Sequence, residues 1–143
     1  MVLRSFDACA RRLSVHTDVR SAKLASMARQ SQVAMHCYDS HLAVQLRLSA
    51  TAQVHIDDAV AQAAWTNSRA NSRTCYAMVH PPGHAVAAPP AMPRDSEAGR
   101  PNYAVLGLTF HSLEWLWLSH VGHRRARFAW GVDGCCLATW LVP

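Results

Sequence analysis

A proline-rich stretch near the middle of the chain is the feature that most constrains its fold. Pro81, Pro82 and Gly83 follow one another directly, and residues 85–102 contain four of the seven prolines together with Gly99. Proline fixes its own φ and has no amide hydrogen to donate, so helices and strands rarely run through such a segment. We therefore expect the regular elements to lie before residue 80 and after residue 102, with a long loop between them.

Composition excludes several classes of protein. A length of 143 residues fits one domain, and a chain that is 50% apolar and 16% charged lacks the signature of disorder. The longest apolar run, 103–118, is interrupted by His111 and Glu114 and is too short to cross a bilayer. The net charge is +5, but only Arg124, Arg125 and Arg127 cluster, so we expect a solvated basic surface with no direct nucleic-acid binding.

The cysteines and the N-terminal composition suggest a location and a domain boundary. Five cysteines without framework spacing do not suit a disulfide-stapled secreted domain, which favours the cytoplasm or the nucleus. Residues 1–37 are rich in Arg and Ser and carry few acids, so we expect a poorly ordered or weakly helical basic leader. Residues 38–143 would then form the folded domain.

Periodicity predicts alternating helices and strands. Asp39 or Ser40 can cap a helix over 41–65, and the short apolar run 75–79 is typical of a buried strand. A second helix is predicted over 103–117, because its large apolar residues recur at spacings of three and four, and a second strand is predicted over 126–132. This order predicts an α/β fold with a small parallel sheet.

The segment 76–85 contains the strongest candidate for chemistry. A buried strand followed by a Pro-Pro-Gly turn would place His84 at the carboxyl end of the strand, where parallel sheets collect catalytic groups. A neutral imidazole can transfer protons near pH 7 or bind metal. The alternative interpretation is a solvent-exposed turn histidine.

The sequence Tyr-Ala-Met-Val-His-Pro-Pro-Gly-His at residues 76–84 resembles a signature of the zinc-dependent histone deacetylase and acetylpolyamine amidohydrolase family. The resemblance implies a partial arginase/deacetylase-like three-layer fold over 38–143. It implies His84 as the catalytic histidine, with Pro82 and Gly83 in the wall of the substrate pocket. Ala85 occupies the position of the family's second histidine, its usual general base.

The same resemblance implies a zinc site, although its ligand set is incomplete. Asp133 and Cys135 stand where the family has its metal-binding Asp-x-His, and carboxylate and thiolate both bind zinc. Cys135 and Cys136 can also be read as small buried apolar residues after a strand. A small metal-binding protein using both cysteines with His80 and His84 is a further alternative.

The resemblance therefore predicts a truncated or divergent deacetylase-family hydrolase that is weakly active or inactive. Its substrates would be acetyl-lysine proteins or acetylpolyamines, and it would be linked to chromatin and deacetylation. The alternative is a non-catalytic binding or scaffolding fragment that associates with a complete deacetylase partner.

Overall fold

The computed structural model describes residues 2–143. Within this part of the chain, seven strands form a mostly antiparallel sheet in which β1-β2-β5-β4-β3 are neighbours, while β6 pairs with β5 and β7 pairs with β6. The strands are β1 Leu3–Asp7, β2 Arg12–Asp18, β3 Gln32–Asp39, β4 Val44–His55, β5 Tyr103–Trp117, β6 Arg124–Trp130 and β7 Cys136–Leu141. The helices are α1 Ala22–Arg29, α2 Ala59–Thr66 and α3 Ala70–Arg73, with 3₁₀ turns at Thr74–Ala77 and Glu97–Asn102.

The expected parallel α/β fold is wrong, and so is the partial arginase/deacetylase-like three-layer architecture. The β3–β4, β5–β6 and β6–β7 pairings are antiparallel, and β3 and β4 are joined by a tight turn that needs no crossover helix. The predicted strand at 126–132 is confirmed as β6, but the strand predicted over 75–79 is largely a 3₁₀ turn.

The helix predicted over 41–65 is wrong for residues 44–55, which form β4, and right for residues 59–65, which lie in α2. The Asp39 carboxylate accepts hydrogen bonds from the backbone N–H groups of His41 and Leu42 at 2.9 and 3.0 Å, which closes the β3–β4 hairpin instead of capping a helix. Helix begins only after Asp58, whose carboxylate accepts from the Ala61 N–H at 2.9 Å and caps α2.

The helix predicted over 103–117 is also a strand, the fifteen-residue β5. All six residues from Tyr103 to Leu108 are buried, which requires cover on both faces of the element. Because apolar residues point to both sides of such a strand, some of them are three or four positions apart even though no helix is present.

The chain divides into two compact units. Unit 1 contains residues 1–6, 13–30 and 53–107, and unit 2 contains residues 7–12, 31–52 and 108–143. In unit 1 the largest fully buried side chains are Val15, Tyr103, Val105 and Leu106, and Trp65 packs edge-on against Tyr103 at 5.0 Å. In unit 2 the buried apolar residues are Leu48, Ala50, Leu108, Phe110 and Ala126.

The N-terminal segment 2–37 contains regular structure. It forms β1, β2, α1 and most of β3, so the expected boundary at 37/38 lies within β3. Over the described range, none of the helices has the length and apolar character needed to span a membrane.

Candidate functional site

Buried polar side chains lie at the junction between β2 and α1. Thr17, Asp18 and Ser21 are the buried polar residues in the described part of the chain, with 5, 4 and 7% of their surface exposed. Thr17 and Asp18 end β2, and Ser21 is the residue that precedes α1. We call the group Thr17, Asp18, Arg20, Ser21 and Lys23 the α1 corner.

One ion pair satisfies the acid of this corner. The Arg20 guanidinium binds the Asp18 carboxylate through two nitrogens, at 3.0 and 2.7 Å. This hydrogen bonding raises the pKa of Arg20. Arg20 also donates to the carbonyl oxygens of Met78 and Val79 at 2.9 and 3.3 Å. Because Arg20 and Asp18 neutralise each other, the free charge of the corner is the ammonium of Lys23.

The start of α1 is suited to an anion. The Ser21 hydroxyl makes no capping hydrogen bond, and the first turn contains no acidic residue. Lys23 lies on that turn, with its Nζ 3.4 Å from the Thr17 hydroxyl. Free N–H groups and the helix dipole favour negative charge at a helix N-terminus. Hydroxyl groups, an ammonium and backbone N–H groups therefore converge where a phosphate group would be stabilised.

A polar cavity of about 520 Å³ lies elsewhere in unit 1. Apart from Ala64, its lining consists of two arginines, one imidazole, one amide and four hydroxyl groups. These residues are Arg4, Ser5, Ser14, His16, Asn67, Ser68, Arg69 and Ser72. We call it the polar cavity.

The polar cavity carries uncompensated positive charge. Within residues 2–143, neither Arg4 nor Arg69 forms an ion pair with a carboxylate. Burial, followed by the nearby charge of Arg4, lowers the pKa of His16 to about 4, so this imidazole is neutral at pH 7. Its ring packs edge-on against Tyr103 at 5.0 Å. The cavity is therefore suited to a small anionic molecule.

Glu97 connects the helices beside the polar cavity through hydrogen bonds. Glu97 accepts a hydrogen bond from the Trp65 indole at 3.0 Å and another from Arg73, and these two bonds lower the pKa of the Glu97 carboxyl. Arg73 also lies over the Trp65 ring at 5.0 Å. A Cβ on Gly99 would come within 2.8 Å of the Arg73 carbonyl oxygen, so this close approach requires glycine.

The histidine motif lies in a second cavity of unit 1, of about 750 Å³. Its lining includes His84, Pro82 and Gly83, all three of which are exposed. The His84 ring stacks on that of His80, with centroids 4.5 Å apart and planes at 11°. Met78 and Val79, whose carbonyl oxygens Arg20 binds, also line this cavity. We call it the proline cavity.

The residues expected to bind zinc belong to the other unit. Asp133 and Cys135 are exposed residues of unit 2 in the turn before β7, whereas His84 belongs to unit 1. The Asp133 carboxylate accepts a hydrogen bond from the Cys135 N–H at 3.0 Å, and bonding to Cys135 lowers the pKa of that carboxyl. Across residues 2–143, no three His, Cys, Asp or Glu side chains are grouped so that they could hold a metal ion.

Comparison with known proteins identifies the fold. No family profile matches the sequence, and no curated protein matches it. A pyridoxamine 5'-phosphate oxidase-related, FMN-binding protein of Nostoc punctiforme has a similar structure, with a TM-score of 0.79 and 19% identity over 99% of this chain and 78% of that one. PhzG of Burkholderia lata, solved with tetrahydrophenazine-1-carboxylic acid, gives 0.72 and 16% over 99% and 72%.

A third similar structure comes from Clostridium acetobutylicum. It is a protein related to general stress protein 26, of the pyridoxinephosphate oxidase family, with a TM-score of 0.56 and 13% identity over 90% of this chain and 71% of that one. The fold is that of pyridoxamine 5'-phosphate oxidase-like proteins.

These findings correct the function expected from the sequence. The resemblance to histone deacetylases is wrong, because the fold is antiparallel and matches a pyridoxamine 5'-phosphate oxidase-related protein and a protein of the pyridoxinephosphate oxidase family. Deacetylase activity and the scaffolding alternative fail with it. Zinc is also wrong as the cofactor, because the described residues offer no metal site and the similar structure from Nostoc punctiforme is described as FMN binding.

Sequence reasoning missed both polar sites. The signal that could have located the α1 corner is a serine directly before a short helical run with Lys23 in its first turn. No comparable signal marks the polar cavity, because Arg4, Ser14 and Arg69 come from three separate elements.

Proposed function

We propose that this protein binds FMN in unit 1 and that the α1 corner holds its phosphate group. The observation that carries the proposal is the position of Arg20. Its single guanidinium binds Asp18 in the corner and the carbonyl oxygens of Met78 and Val79 in the wall of the proline cavity. An anion site and a cavity of about 750 Å³ are therefore neighbours within one unit.

The residues present fit the two ends of FMN. The Ser21 and Thr17 hydroxyls and the Lys23 ammonium would donate to phosphate oxygens, because Ser21 is not used as a cap and the first turn has no competing acid. The proline cavity is lined by apolar side chains and by the stacked His80–His84 pair, which suit a planar aromatic ring system. Bound FMN would supply reversible hydride acceptance.

The polar cavity would receive a second, anionic molecule. Arg4 and Arg69 carry two charges that no described carboxylate neutralises, so a phosphate or carboxylate group is the expected feature of that molecule. The similar structure solved with a bound carboxylic acid supports this choice of ligand class.

Flavin binding is tested by titrating the purified protein with FMN and with riboflavin, which lacks the phosphate, and following flavin fluorescence. We expect FMN to bind more tightly than riboflavin. Lys23→Met should weaken FMN binding about 10-fold, the usual loss for one hydrogen bond to a charged group, and leave riboflavin binding unchanged. Arg29→Met is the matched control, because Arg29 lies in the last turn of the same helix.

Two results would contradict the proposal. Equal affinities for FMN and riboflavin would remove the phosphate site from the α1 corner. A loss of FMN binding on Arg69→Met, with no loss on Lys23→Met, would move the phosphate to the polar cavity. Absence of binding by either flavin would refute the proposed function.

A further inference from the structure

One side chain of the polar cavity, His16, has a role that the positive charge of the cavity does not explain. Arginine side chains only donate hydrogen bonds, and the serine hydroxyls and the amide can both donate and accept. His16 is the cavity's imidazole, and its ring nitrogens take part in none of the side-chain hydrogen bonds or ion pairs found among residues 2–143. The ring is fixed from one side by its edge-on contact with Tyr103 at 5.0 Å.

Position and protonation make this ring an acceptor. Ser14 and His16 alternate with Leu13 and Val15 along β2, so the two polar side chains face the cavity while the apolar ones face the core. With a pKa of about 4, which burial and then the nearby charge of Arg4 lower, the imidazole keeps one unprotonated nitrogen at pH 7. A ligand held by the guanidinium groups would therefore meet a neutral ring that offers an acceptor nitrogen.

We propose that His16 is a specificity-determining residue of the polar cavity, selecting anionic ligands that also carry a hydroxyl or amine hydrogen-bond donor. This inference depends on the part of the proposed function that places an anion in the polar cavity, but not on flavin binding. The class of ligand it defines is a small sulfonate, phosphate or carboxylate with an O–H or N–H group a few bonds from the acid.

Matched probes test the inference by calorimetry at pH 7. The probes are 3-hydroxybenzenesulfonate, which has a donor, and 3-methoxybenzenesulfonate, which has none, and their acid groups are equally charged. We expect the hydroxy compound to bind about 5- to 10-fold more tightly to the native protein, the ratio that one neutral hydrogen bond supplies.

Variants separate selection from simple packing. His16→Phe keeps a ring against Tyr103 but removes the acceptor, so the preference should fall to about 1 while both probes still bind. His16→Gln restores an acceptor oxygen and should recover part of the preference. A structural role alone would change both affinities together and leave their ratio intact. Arg69→Met should weaken both probes equally.

The failures are distinguishable. If both probes bind the native protein equally, or if the preference persists in His16→Phe, the role of His16 is refuted while the anion site stands. If neither probe binds, the anion site and the role of His16 both fall. If the preference is found but FMN does not bind, the inference stands and the flavin part of the proposed function fails.

Discussion

Two arginines of the cluster in unit 2 and two arginines of the polar cavity in unit 1 differ in whether a carboxylate pairs with them. In unit 2 the Glu114 carboxylate accepts hydrogen bonds from Arg125 and Arg127, at 2.6 Å from each. In unit 1 Arg4 and Arg69 line a cavity and form no ion pair with any carboxylate that the structure describes. Two arginines of the cluster that is conspicuous in the sequence thus share a carboxylate, whereas the isolated Arg4 and Arg69 are available to a ligand.

Strand pairing explains the difference. Glu114 on β5 lies directly opposite Arg127 on β6, so the acid and its bases meet across an antiparallel ladder. The third member of the cluster, Arg124, lies over the Trp117 ring at 5.6 Å. A run of basic residues within a strand therefore says little about binding until its cross-strand neighbours are known.

The largest expected effect concerns the free arginines. Arg69→Met should lower the affinity of the polar cavity for benzenesulfonate by about 10- to 100-fold, because a charge-assisted contact has no substitute in methionine. Arg127→Met, in the compensated cluster, should leave this affinity unchanged. Calorimetry of both variants at low and moderate salt measures the contrast.

The comparison breaks if both variants lose affinity to the same extent. Such a result would mean that the probe responds to overall positive charge and not to the cavity. Retention of the folded state is checked in each variant by circular dichroism and thermal unfolding.

A smaller effect is expected when the compensated cluster is released. Glu114→Gln removes the carboxylate that Arg125 and Arg127 share, and should lower the free energy of unfolding by about 1 kcal/mol, as for a partly exposed ion pair with good geometry. The same variant should acquire weak binding of benzenesulfonate that Arg69→Met does not abolish. Urea unfolding and calorimetry test both expectations. Unchanged anion binding would show that pairing with Glu114 is not what prevents these arginines from binding anions.

The sequence predicted some elements correctly and others wrongly. The strand at 126–132 was predictable because its apolar segment is short and is flanked by polar turns. The strand β5 was not, because 103–108 is buried on both faces and therefore lacks period-two alternation. Asp39 before an apolar run was compatible with a helix cap or a hairpin turn, and only the pairing of β3 with β4 decides between them.

The candidate site was even less predictable. The motif 76–84 suggested a known family, yet the segment is a 3₁₀ turn followed by an exposed proline loop. Sequence similarity over these nine residues therefore did not predict the fold. The groups that form the α1 corner and the polar cavity are ordinary serines, threonines and arginines. Their significance comes from where the tertiary structure places them, at the start of α1 and around a cavity.

A further expected effect is a difference in pH dependence between the units. The folded-state pKa of His16 is lowered from 6.5 to about 4, so the unfolded chain binds the proton first. The contribution of the neutral ring is therefore present above pH 6.5 and is lost as the pH falls from 6.5 to about 4. The groups that face this ring are the Arg4 and Arg69 guanidiniums and the Tyr103 phenol, whose pKa burial raises to about 12.

Glu114 should respond only at lower pH. Hydrogen bonds from Arg125 and then Arg127 lower the pKa of its carboxyl from the ordinary value of 4.5, so its contribution is present above pH 4.5 and is lost as the pH falls through the lowered value. Thermal unfolding between pH 7 and 5 should thus become less pH-dependent in His16→Phe and remain as in the native protein in Glu114→Gln. An equal response of the two variants in that range would mean that the His16 ring is not buried as described, since desolvation is the main cause of its lowered pKa.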